Sequence, residues 1–219
     1  MENNPYILNE YKAFTLETKV SEAKLFFNET LFCHFPIVEN NHLVGLISEN
    51  DIQGIDQEDK TLNEFQYLFN LFLIQQSINL LEIIKVFASN ETNIIPVLNI
   101  RNEYIGYYDL IEILHVFNET PFLNDEGVVL LLEKKAQDYS FSEICQIVES
   151  NNGKILGIFV TEFNSATVKI TLKFNAQDIN EILQSFRRYN YNVLSNHEED
   201  FYLEDLKDKT NYLRKYLNI

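Results

Sequence analysis

The chain has 219 residues, 46% of them hydrophobic and 23% charged, and a formal net charge of −16. That apolar share is enough for packed cores, so disorder is excluded except at the ends. An acidic chain without a basic stripe is a poor binder of nucleic acid or anionic membrane, and no apolar run reaches the roughly 18 residues that span a bilayer.

The charge is uneven: residues 1–126 carry 20 acids and 6 bases, whereas residues 127–194 carry 7 of each. This shift, together with the turn-rich stretch Asn118 to Gly127, places a domain boundary near residue 126. The opening MENNPYILNE lacks the basic start and apolar block of a signal peptide. Cys33 and Cys145 lie in apolar, helix-like stretches and read as buried thiols in a reducing compartment. The expected location is the cytoplasm.

Taken in chain order, Val20-Ser21-Glu22-Ala23 opens a helical pattern that includes Phe26 and Phe27. Pro36 follows within the apolar run Phe35 to Val38, then the turn Glu39-Asn40-Asn41 and the strand Leu43 to Ile47. The stretch leaves that strand as GLISEND, Gly45 to Asp51. Sixty residues on, the pattern returns as Leu80-Leu81-Glu82-Ile83, Phe87 and Ile95-Pro96-Val97-Leu98. After a turn longer by one residue, Tyr104-Ile105-Gly106-Tyr107-Tyr108 closes the second copy. Each copy reads as strand, helix, strand, turn, strand, helix.

In the second half, Gly127 to Glu133 reads as an apolar strand and Asp138-Tyr139-Ser140 as a helix start, with Ser140 or Ser142 as the cap. Phe141, Ile144, Cys145 and Val148 form that helix's stripe, and Asn151-Asn152-Gly153 ends it in a left-handed turn. Strands over Ile155 to Phe163 and Val168 to Phe174 follow, then a helix marked by Ile179, Ile182, Leu183 and Phe186, and a last strand over Tyr191 to Leu194. The order βαββαβ is the split ferredoxin-like motif. Residues 197–219 read as an amphipathic helix with a mixed polar face, packing on this chain or on a second copy.

The duplicated pattern resembles a pair of CBS motifs, the tandem unit of a Bateman module. The residues that carry the likeness are VSEA, FPIV and GLISEND in the first copy, and IPVL and GYYDLIE in the second. The size and placement of the second half look like an ACT domain, and the combination is similar to acetoin-utilisation-type CBS–ACT proteins. The expected fold class is α/β (α+β). Its domains are CBS motif 1 over 1–63, CBS motif 2 over 64–121, the ACT-like domain over 127–196 and the terminal helix over 197–219.

The resemblance implies adenosine-type ligands at the glycine, apolar pair, hydroxyl, two residues, Asp pattern. A carboxylate can accept both ribose hydroxyl protons, and a hydroxyl at a helix N-terminus can donate to phosphate. Asp51 would hold the ribose and Ser48 the phosphate. Backbone and side chains around Phe35, Pro36 and Ile37, with Phe14, Thr15 and Leu16 before the first helix, would line the adenine slot. The alternative for the same residues is structural, with Ser48 as an N-cap and Asp51 as a first-turn acid. Lys12 and Lys19 flank the slot, and the scarcity of bases predicts AMP in preference to ATP.

In the second copy Asp109 replaces the hydroxyl and Glu112 the ribose acid. Like charges about 4 Å apart cost roughly 1 kcal/mol in water and about 4 at an effective dielectric near 20. The expectation is therefore an empty second cleft, the alternatives being an uncharged adenosine moiety or a bridging Mg²⁺. The ACT-like loop KAQDYSFSE lacks the glycine such ligand sites use, which predicts a dimerisation sheet or signal relay in place of an amino-acid site.

No phosphate loop, nucleophile elbow or metal-ligand spacing occurs, so neither catalytic nor metal residues are expected. The partners implied are a second copy of the chain and an unknown protein target. The rival to ligand sensing is a ligand-free dimerisation scaffold with degenerate CBS sites.

Overall fold

The structure, a computed structural model, describes residues 5–76 and 79–195. The chain divides into two units, Met1–Asn118 and Glu119–Ile219. The helix expected over 197–219 lies outside the described residues.

In the first repeat, helix α1 (Val20–Glu29) buries Val20, Ala23 and Phe27, whose spacing puts them on one face. Strands β1 (His34–Glu39) and β2 (His42–Ser48) form an antiparallel hairpin. Asn40 and Asn41 close it in the left-handed region, at φ 49° and 65°, the conformation a two-residue hairpin turn requires and asparagine tolerates. Helix α2 (Glu49–Gln53) starts directly after β2. The second repeat supplies β3 (Ile74–Gln75), α3 (Leu80–Ser89), β4 (Ile94–Leu98), β5 (Tyr104–Asp109) and α4 (Leu110–Asn118). Phe14 pairs in parallel with Ile37, and sixty residues later Ile74 pairs in parallel with Val97.

The two repeats exchange the segments that lead into them. Leu8, ahead of the first, makes two backbone hydrogen bonds with Tyr107 of β5, at 2.8 and 2.9 Å. Asn70, ahead of the second, does the same with Leu46 of β2, both at 2.8 Å. This crossing explains the recurring glycine. A Cβ at Gly45 would lie 3.0 Å from the Phe69 Cβ and 3.1 Å from the Asn70 carbonyl oxygen. At Gly106, where φ is +145°, it would lie 2.4 Å from the Leu8 carbonyl oxygen.

One core joins the repeats: Phe14, Phe27, Phe35, Ile37 and Ile47 pack with Ile94 and Tyr107. Where β1 and β4 begin, Cys33 and its counterpart Asn93 bind reciprocally. The Cys33 N–H donates to Asn93 Oδ1 at 3.0 Å, and the Asn93 N–H to Cys33 Sγ at 3.3 Å. The helix-like reading of Cys33 fails because α1 ends at Glu29 and Thr30 is extended. The thiol is half-buried in the connection to β1.

The second unit begins with a short helix, α5 (Pro121–Asn124), followed by β6 (Val128–Lys135), α6 (Phe141–Ser150), β7 (Lys154–Phe163), β8 (Thr167–Asn175), α7 (Ile179–Arg188) and β9 (Asn192–Val193). The sheet order is β7-β8-β6-β9 with every pairing antiparallel, the split βαββαβ arrangement. Leu130 and Leu132 of β6 and Val168, Ile170, Leu172 and Phe174 of β8 alternate inward onto Ile144 and Val148 of α6 and Ile182 and Phe186 of α7. Ser140 caps α6, its Oγ accepting the Glu143 N–H at 3.4 Å. The left-handed residue after α6 is Asn152 at φ 59°. The last strand shortens to two residues because Tyr191 turns into the core, its hydroxyl near Ser140.

Candidate functional site

Ser48 ends β2 with an extended backbone and is buried. Its Oγ accepts the Asp51 N–H at 3.0 Å and donates to Asp51 Oδ2 at 2.6 Å. The capping role and the pairing with a carboxylate are thus both realised, by one hydroxyl. Asp51 is half-buried, and among the described residues Oδ1 has no partner. The Glu49 N–H donates to the Cys33 carbonyl at 2.9 Å, fixing α2 to the start of β1. His34 stands opposite Ser48 in the hairpin, its ring edge-on to Phe72 at 5.4 Å.

Cys33 adjoins this end of the hairpin. Its Sγ is 3.3 Å from His34 Nδ1 and 3.1 Å from Asn93 Oδ1. Burial alone would raise the thiol pKa, but hydrogen bonds from His34, Thr92 and the Asn93 backbone leave it below the ordinary value.

The other residues expected in the slot lie elsewhere. Phe14 pairs beside Ile37, and the Leu16 N–H donates to Glu39 Oε1 at 2.7 Å. Thr15 therefore sits at the turn end of β1, whereas Ser48 faces His34 at the opposite end. A strand of that length separates them by about 16 Å, so the structure does not bring Thr15 to Ser48. Phe35, Pro36 and Ile37 are buried, and the Phe35 ring packs on Phe14 at 5.0 Å. Their side chains are packed into the core. Lys19 is the residue before α1 and pairs with Thr61.

In the second repeat Asp109 Oδ1 accepts the Ile111 N–H at 2.7 Å and the Glu112 N–H at 3.2 Å, capping α4. Glu112 is exposed. The space beside β5 is filled by rings: Tyr107 lies edge-on to Phe32 at 5.6 Å, and Phe32 edge-on to Tyr11 at 5.8 Å. Burial raises the Tyr107 phenol pKa, and its hydroxyl bonds the Tyr11 backbone. In the first repeat the position of Tyr107 is held by Leu46, which pairs with Pro36 as Tyr107 pairs with Pro96. Sequence reading missed this ring cluster; the signal was the bulk in GYYD against GLIS.

Residues 7–56 match the family model described as CBS domain. The match lies in the first repeat, and the second repeat builds the same elements sixty residues on. Over 109 residues the chain is 21% identical to an uncharacterized protein of Methanocaldococcus jannaschii, covering 50% of this chain and 41% of that protein, so it spans less than half of that relative's length. Among solved structures it is similar to a CBS domain pair/ACT domain protein from Thermotoga maritima, at 14% identity and TM-score 0.46, covering 52% of this chain and 93% of that one. It is also similar to CBSX2 in complex with AMP, at 17% identity and TM-score 0.44, covering 51% and 92% respectively.

In the second unit, the loop after β6 is occupied by Tyr139, edge-on to Phe141 at 6.0 Å and to Phe163 at 6.3 Å. Among the described residues, no three His, Cys, Asp or Glu side chains are placed to hold a metal, and no helix is long and apolar enough to cross a membrane.

Proposed function

We propose that the CBS pair is a regulatory, non-catalytic sensor that takes an adenosine-type ligand at Ser48 and Asp51, AMP in preference to ATP. CBS domains are nucleotide-sensing regulatory modules, and the match over residues 7–56 includes both side chains. The observation that carries the reading is the asymmetry between the copies. The first copy offers the Ser48 hydroxyl beside Asp51, whose Oδ1 has no partner among the described residues, whereas in the second copy the hydroxyl position is taken by Asp109, whose Oδ1 accepts two backbone N–H groups near the rings around Tyr107. On binding, the ribose diol donates to the Asp51 carboxylate, and the Ser48 hydroxyl rotates from Oδ2 to the phosphate.

A triphosphate is disfavoured because cations are scarce. Residues 1–126 hold six bases, and Lys24 and Lys60 are already paired with Glu58 and Glu64. Occupancy is relayed through the packing of two chains, to the extent that the ligand prefers one arrangement. Leu81 on α3 and Ile111 and Leu114 on α4 are exposed apolar residues that would meet the second copy.

Thermal unfolding with AMP, ADP, ATP and adenosine, with and without Mg²⁺, tests the sensor. A shift ordered AMP over ATP supports it, and no shift with any of the four refutes it.

The alternative is a ligand-free scaffold, favoured by the mutual bonding of Ser48 and Asp51 and by the closed second copy. Recovery of a stable protein partner whose affinity ignores all four nucleotides would decide for it.

A further inference from the structure

A cavity of about 400 Å³ lies at the turn end of β1, away from Ser48 and Asp51. Its polar lining is Asn9, Lys12, Thr15, Asn40, Asn41 and Tyr104, and its apolar lining includes Val38 and Ile105. It therefore draws on both repeats, which are tied here by the Tyr104 N–H donating to the Asn41 carbonyl at 2.8 Å.

Three features point to a ligand. The lining contains a cation and no carboxylate, in a unit dominated by acids. Glu39, next to Val38, is turned away to the Leu16 N–H. The Tyr104 hydroxyl is buried without a hydrogen-bond partner, an arrangement a folded chain seldom leaves unfilled. Asn9, Lys12, Asn40 and Asn41 are exposed around the opening, where their side chains are free to reorient.

We infer that this cavity binds a small monocarboxylate, with Lys12 pairing the carboxylate and Tyr104 and the asparagine amides bonding its polar substituents. One ammonium balances a single negative charge; a phosphate dianion would keep a net charge against an acidic surround. Val38 and Ile105 accept a short alkyl group. Because the lining draws on Lys12 and Thr15, Asn40 and Asn41, and Tyr104 and Ile105, a bound ligand stiffens the junction between the two repeats. The inference does not depend on adenosine binding at Asp51.

The test is a ¹H–¹⁵N titration of the full chain with 2-hydroxybutanoate, and with inorganic phosphate for comparison. The expected result is saturable shifts of the Asn9, Asn40 and Asn41 side-chain amides by hydroxybutanoate. Affinity should fall about tenfold or more in Lys12→Met and several-fold in Tyr104→Phe, and be unchanged in Asp51→Ala. No saturable shift up to about 10 mM, or equal affinity in Lys12→Met, overturns the site. Tighter binding of phosphate than of hydroxybutanoate overturns the carboxylate assignment.

Discussion

Replacing Gly106 by alanine tests the strand exchange that joins the two repeats of the first unit. At φ +145° an alanine costs about 1–3 kcal/mol in backbone strain. Its Cβ would also lie 2.4 Å from the Leu8 carbonyl oxygen, and that neighbour is backbone, so the lead-in segment must move. Movement removes both Leu8–Tyr107 hydrogen bonds, worth about 1 kcal/mol each. The expected loss is about 3–5 kcal/mol, far beyond an ordinary surface substitution. Gly45→Ala is the internal comparison. It has no positive φ and meets Phe69 and Asn70 at 3.0 and 3.1 Å, so neighbours need give only a few tenths of an ångström. It should cost about 1 kcal/mol. Urea unfolding followed by circular dichroism measures both. A Gly106→Ala protein within about 0.5 kcal/mol of wild type, or no less stable than Gly45→Ala, refutes the exchange.

Three further outcomes follow from particular side chains. Tyr104→Phe removes a buried hydroxyl without a partner, so the unliganded protein should gain about 1–2 kcal/mol, read as a higher urea midpoint; a loss would show that the hydroxyl is satisfied. Burial alone would raise the Glu143 pKa, but the Lys134 ammonium holds it below its usual 4.5. The stability this pair contributes is therefore present above that value and lost as pH falls through the depressed one, and a Lys134→Met protein should show a shallower decline of urea midpoint with acid. Cys33 should alkylate with iodoacetamide at a pH below that of an ordinary thiol, and His34→Gln should move its half-point upward; an unchanged half-point would remove His34 from the account.

Much of the fold was legible because periodicity reports burial directly. The sixty-residue repeat gave two copies of one unit, and the alternation in Val168 to Phe174 gave the central strand β8. The strand exchange was not legible, since Leu8 and Asn70 carry no pattern of their own and pair only through tertiary contact. The candidate site was half legible. GLISEND fixed Ser48 and Asp51 at a strand end and helix start, which local rules determine. That the Phe35 and Ile37 side chains face the core was not legible, because such residues look alike in sequence whether they face a slot or a core. The place of Thr15 was hidden for another reason: the parallel pairing of Phe14 with Ile37 sets which end of β1 it reaches.

Calorimetric titration of AMP into the wild-type chain, Asp51→Ala and Glu112→Ala addresses the sensor reading most directly. The account predicts one AMP bound per chain in wild type and in Glu112→Ala, and none in Asp51→Ala. Binding that survives Asp51→Ala, or that disappears in Glu112→Ala, would contradict it.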